Sequence, residues 1–227
     1  MQDLMFDLLE FLLPEDVLNL SSINTSFHHL IYQMTHVDYV SSCDEEYELP
    51  DANLFVNLIS LYTAFTDINY LRNFPRLQRL KVLGCDQLSD ITSLTNLKSL
   101  TITDETKITD LSHLTNLIRL KLFDVVNITD ISSLTNLKSL TIGHCGIENI
   151  SNLTNLTKLS ILFSTKINDI SKLTNLRKLD ISGTRSIKNI SNLSNLATII
   201  IDGDISVHQM YDLFSPRLPD LSKIVLK

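Results

Sequence analysis

Apolar residues return along this chain at two alternating spacings. From Leu97 the apolar positions are Leu97, Leu100, Ile102, Ile108, Leu111 and Leu114; one period later the same slots hold Leu117, Leu120, Leu122, Ile128, Ile131 and Leu134. Leu100-Thr101-Ile102 alternates apolar and polar, the pattern of a short half-buried strand. Ile108 to Leu114 spaces its apolar residues by three, which predicts a tight 3₁₀-like turn. A polar bend joins the two. Aligned on the first leucine, periods begin at Leu77, Leu97, Leu117, Leu137, Leu156, Leu176 and Leu196, so they are 20, 20, 20, 19, 20 and 20 residues long.

No single period can bury both apolar edges, whereas stacked periods share one continuous core, with strands on one face and turns on the other. The chain is therefore expected to be a solenoid. Leu137-Lys138-Ser139-Leu140-Thr141-Ile142-Gly143-His144-Cys145 resembles the leucine-rich repeat, whose Leu-x-x-Leu-x-Leu run is followed by a polar or cysteine slot. Cys85, followed by Leu88-Ser89-Asp90, is similar to the cysteine-containing variety of that repeat found in F-box proteins. The resemblance implies an α/β solenoid, a right-handed horseshoe with parallel β-strands on the concave face and short 3₁₀ turns on the convex face.

Ahead of the repeats, Leu4, Leu8, Leu9, Phe11 and Leu12 gather on one helical face. Pro14 ends that element by forcing its predecessor out of helical geometry. Pro14, Glu15 and Asp16 then open a second helix, where proline and acids suit the first turn. Ser26 to Met34 reads as a third. Leu8 to Leu13, then Pro14-Glu15-Asp16-Val17-Leu18-Asn19-Leu20, then Ile23-Asn24-Thr25-Ser26-Phe27-His28-His29-Leu30-Ile31 resemble an F-box, although the family's opening Leu-Pro is missing. That resemblance implies docking on the Skp-type adaptor of a cullin-RING ubiquitin ligase through Leu4, Leu8, Leu12, Pro14, Val17 and Leu18. The plain structural alternative is a helical lid on the end of the solenoid.

The expected organisation is an F-box-like helical unit over residues 1–39, an acidic linker over 40–53 and a repeat domain over 54–227. Within the last, an irregular first repeat (54–76) precedes regular repeats (77–195) and a C-terminal cap (196–227). In the first repeat, Asp67-Ile68-Asn69-Tyr70-Leu71 echoes Asp90-Ile91-Thr92-Ser93-Leu94 at an offset of 23. Ile199-Ile200-Ile201 and Leu221 to Leu226 are expected as closing strands, with a short helix over Val207 to Phe214.

Charge divides the chain in two. Residues 1–71 hold twelve Asp or Glu and no Lys or Arg, while residues 72–227 carry all 19 basic residues against 14 acidic ones. Halves of opposite sign point to separate roles. A hydrophobic content of 44% is ample for a core without a metal or disulfide. The cysteines Cys43, Cys85 and Cys145 are odd in number and lack ligand spacing, as expected of a reducing, intracellular compartment. The apolar start contains Asp7 and Glu10 and lacks a basic leader, so a secretory signal is not expected. Neither is a membrane span, which needs about 18 apolar residues in a row.

Polar residues recur as regularly as the leucines. Asp90, Asp110, Asp130 and Asp169, with Asn149 and Asn189 in the same column, precede the turn, where a short acceptor caps free N–H groups. That explains the carboxylate column better than metal binding. Asn96, Asn116, Asn136, Asn155, Asn175 and Asn195 end each period, where an amide can satisfy backbone groups that stacking buries.

No catalytic constellation is visible. The six histidines do not recur at ligand spacing, and five glycines form no phosphate loop. An enzyme, a metal and a cofactor are all unexpected. Binding is the remaining chemistry: residues between the inward leucines of each strand point outward. Those columns place Arg79, Lys81, Arg119, Lys121, Lys158 and Lys178 on the concave face, with Phe123 and Leu162 about 10 Å apart across two strand spacings. Basic residues beside an aromatic anchor make a candidate hot spot for an acidic protein partner. Nucleic acid is disfavoured by the net charge of −7 and by the lack of interleaved stacking aromatics. The sequence thus reads as an interaction protein recruiting substrates to a ubiquitin ligase. The alternatives are a repeat scaffold or competitor with a structural cap and an adhesion repeat of the internalin kind, which shares Ile-x-Asp-Ile-Ser-x-Leu.

Overall fold

The computed structural model describes residues 36–38, 58–63, 71–72, 74–84, 88–104, 106–163, 166–188, 190–201, 213 and 224–226. Ten strands run through them: β1 (His36–Asp38), β2 (Ser60–Thr63), β3 (Arg79–Leu83), β4 (Ser99–Thr103), β5 (Arg119–Phe123), β6 (Ser139–Gly143), β7 (Lys158–Leu162), β8 (Lys178–Asp180), β9 (Thr198–Ile201) and β10 (Ile224–Leu226). They form one sheet in chain order, and every neighbouring pair is parallel.

Equal period length fixes the register. Leu80 pairs with Leu100, then in turn come Leu120, Leu140, Leu159 and Leu179. Each of these leucines is at most 2% exposed, and they join the turn residues in a single apolar cluster. The stacked-core expectation holds because alternation turns only every second strand residue inward.

On the return side, Leu94 N–H donates to the Ile91 carbonyl and Leu97 N–H to the Leu94 carbonyl; Leu114 and Leu117 repeat this with Leu111 and Leu114. The expected three-residue spacing therefore takes the form of tandem turns, each closed between residues three apart. They do not merge into a helix, and from Leu88 to Leu196 the described return segments are turns, so the helical share of an α/β solenoid is not found in those coils.

The structure fixes the register of the first repeat, which the echo of Asp67 to Leu71 left open. Phe74 N–H donates to the Leu71 carbonyl and Leu77 N–H to the Phe74 carbonyl, so Leu71 occupies the slot of Ile91, and Phe74 that of Leu94, at an offset of 20. Ile68, Leu71, Phe74 and Leu77 themselves stand three apart, and an apolar ladder of that spacing reads equally well one step out of place. The turn hydrogen bonds break the tie, and the strand ahead of them sets Ser60 opposite Arg79. β1 also belongs to the sheet, with His36 opposite Ser60, although the sequence reading groups it with residues 1–39. Leu4, Leu8, Leu12, Pro14, Val17 and Leu18, and the linker 40–53, lie outside the described residues.

An amide ladder ties coil to coil. Asn96, Asn116, Asn136, Asn155, Asn175 and Asn195 each donate a side-chain Nδ2 hydrogen bond of 2.9 Å to a carbonyl of the preceding coil. Asn136, for example, reaches the backbone oxygen of Thr115. Asn136→Ala should cost about 1 kcal/mol, the usual net value of one such bond. Asn136→Asp, lacking the donor, should do no better. The urea midpoint at constant slope reads both; a midpoint as in the parent chain would remove the ladder from the account.

Candidate functional site

Strand alternation sends Arg79, Lys81, Arg119, Lys121, Lys158 and Lys178 out of one sheet face, and all six are exposed. Arg119 lies opposite Ser139, which lies opposite Lys158, and Lys158 in turn faces Lys178. Phe123, Gly143 and Leu162 follow one another in the same way. Phe123 and Leu162 are half-buried, and the ring of Phe123 leans over Gly143, where an added Cβ would come within 3.0 Å of it. The residues expected on the strand face therefore share one basic and apolar side of the sheet.

Two outward positions depart from that reading. Asp180 and Ser182 are 8% and 7% exposed, because the Asp180 carboxylate folds back to accept from the Ser182 N–H at 3.1 Å and its hydroxyl at 2.7 Å. The open face therefore ends at Lys178.

Sequence reasoning missed the edge where the strands end. Gly84, Asp104, Asp124, His144, Phe163 and Gly183 occupy one slot, all with positive φ between 49° and 69°. Glycine and aspartate tolerate this left-handed geometry, whereas an aromatic there is strained by about 1–2 kcal/mol. Phe163 is also 60% exposed. Its ring stacks on His144 with centroids 5.5 Å apart and planes 5° from parallel, and on its other side it covers Gly183, where no Cβ would fit. Column comparison alone would have exposed the oddity: a phenylalanine in a slot otherwise held by glycine, aspartate or histidine.

No protein-family model and no curated protein sequence matches the chain. Solved structures do. An internalin C2 from Listeria monocytogenes superposes with a TM-score of 0.57 and 27% identity, covering 77% of this chain and 83% of that one. The Leptospira interrogans leucine-rich-repeat protein LIC12759 gives a TM-score of 0.51 and 18% identity over 89% of this chain, which spans 58% of that protein. The fold is a leucine-rich-repeat solenoid. The slot that such repeats fill with a polar or cysteine residue is occupied here by Cys145, whose Sγ donates to the Leu122 carbonyl at 3.2 Å, and by Thr184, whose hydroxyl donates to the Ile161 carbonyl at 3.0 Å. Cys145 is buried and bonded to backbone carbonyls, so it serves this repeat as a scaffold donor, and the same burial pushes its thiol pKa up.

The carboxylate column is likewise scaffold. Thr92, Ser112, Ser132 and Ser171 donate backbone N–H groups to Asp90, Asp110, Asp130 and Asp169, and Ser151 donates to Asn149, at 2.7–2.9 Å. Those backbone donors first, and the neighbouring hydroxyls second, hold the four carboxyls below their ordinary value of 3.8. Among the described residues no cluster of His, Cys, Asp or Glu fits a metal. A depressed folded-state pKa gives stability that is complete above the unfolded value and is lost as pH falls through the lowered one. Acid should therefore loosen the turns only below about pH 3.8. Replacing all four by Asn, which keeps the acceptor as Asn149 does, should flatten the acid limb of a pH-stability curve; an unchanged limb would contradict the capping role.

Proposed function

We propose that this leucine-rich-repeat chain is a non-enzymatic protein-binding module whose strand face takes an acidic segment of a partner. The observation carrying this reading is the exposed row Arg119, Lys121, Lys158 and Lys178 beside the half-buried Phe123 and Leu162. Basic charge steers an acidic partner toward the sheet, and the apolar pair supplies area that water leaves on contact. The double variant Arg119→Glu/Lys121→Glu should weaken capture of an oligo-glutamate peptide at least about tenfold, near 1.4 kcal/mol, with an unaltered melting curve. Equal capture by parent and variant would exclude the face.

Two finer readings differ in what the face serves. The run Leu8 to Ile31 supports a substrate-recruiting subunit of a cullin-RING ubiquitin ligase, with the Skp-type adaptor held by the N-terminal leucines. The 27% identity to an internalin across most of both chains supports an adhesion repeat. Pull-down of the full chain with a Skp adaptor separates them: capture that Leu8→Asp and Val17→Asp abolish favours the ligase, and failure of a folded chain to capture it favours the scaffold or adhesion role.

A further inference from the structure

The outward residues of the sheet alternate in size from strand to strand. β3, β5 and β7 carry Arg79, Arg119 and Lys158 in the first column, and Leu83, Phe123 and Leu162 in the third. β4 and β6 carry Ser99 and Ser139, then Thr103 and Gly143, in the same places. The first column is exposed on β3, β5 and β7 and half-buried on β4 and β6. From β3 to β7 these two columns thus have a period of two coils, twice that of the fold, and Lys178 on β8, opposite Lys158, ends the alternation.

Neighbouring strands lie about 4.8 Å apart, so ridge follows ridge at about 9.6 Å. A polyproline II chain rises about 3.1 Å per residue with three residues per turn, so residues i and i+3 point the same way about 9.3 Å apart. A β-strand cannot match this, since its residues i and i+3 face opposite sides. The furrow over β6 offers no competing path along the strands, because the Phe123 ring lies across Gly143 and closes it. On these grounds we infer that the face reads a polyproline II segment of a partner protein, laid across the strands, with an acidic residue at every third position. Each acid meets a basic ridge residue such as Arg119 or Lys158. A second position of each triplet turns toward Phe123 and Leu162, which repeat at the same interval.

This inference rests on the proposed acidic-partner reading and adds spacing to it. The test uses the full chain and two labelled peptides of equal composition: four Glu-Pro-Pro triplets, and an isomer with all four Glu at one end. The triplet peptide should bind about tenfold tighter by fluorescence anisotropy, and Ser139→Lys, which fills the furrow with charge, should shrink that preference. Equal binding of the two peptides, both weakened by Arg119→Glu/Lys121→Glu, would overturn the spacing and leave the acidic-partner reading standing. Binding of both peptides unaffected by charge reversal would overturn both.

Discussion

Leu140→Ala should destabilise the chain by about 3 kcal/mol, the usual scale for truncating a fully buried leucine, whereas Thr141→Ala one residue away should stay within about 0.5 kcal/mol. Leu140 is 1% exposed, packed between Leu120 and Leu159 of the coils on either side. A cavity there lies mid-stack, where neither flanking coil can close over it without leaving its own register. Thr141 projects from the opposite face and is half-buried. Matched denaturation curves of the two variants therefore measure the in-out alternation on which the binding face depends. Similar losses from both would mean that the strand is rotated.

Gly146→Ala should cost about 2–3 kcal/mol, an overpacking penalty, despite adding one methyl group to a loop. Two residues, Val126 and Asn127, separate the slot of Val125 from the slot of Ile128; in the next coil Gly146 alone spans from Cys145 to Ile147. This is where the 19-residue period loses its residue. The shortened chain runs so tightly against its neighbour that a Cβ on Gly146 would overlap the Val126 carbonyl oxygen. A backbone atom cannot swing aside as a flexible side chain does, so the coils must part. Thermal unfolding of Gly146→Ala reads this directly. Inserting one residue after Gly146 together with the alanine should recover much of the loss, by restoring the 20-residue path.

Most of the solenoid was legible because each coil meets the same two neighbours. Leu80 to Leu179, the amides from Asn96 to Asn195 and the caps at Asp90 to Asp169 recur because identical contacts recur, and a single sequence then contains several copies of its own explanation. Legibility failed where copies differ. The slot of Leu71 was left ambiguous by one turn because three-residue spacing repeats itself. Asp180 looked like an outward group until its carboxylate proved to be satisfied by Ser182. The Phe163–His144 stack depends on backbone geometry at two strand ends, which no apolar pattern records. The two-coil alternation from Arg79 to Leu162 was present in the columns, but it acquired meaning only when the register showed those residues side by side.

Lysine acetylation mapped by mass spectrometry, with and without the Glu-Pro-Pro peptide, tests the binding face most directly. Lys121 and Lys158 stand on the strand face, and Lys172 is exposed on the returning turn closed by Leu173 and Ile170. Bound peptide should slow the labelling of Lys121 and Lys158 several-fold and leave Lys172 unchanged. Protection of Lys172 with Lys121 and Lys158 still freely labelled would place the partner on the wrong side of the sheet and contradict the account.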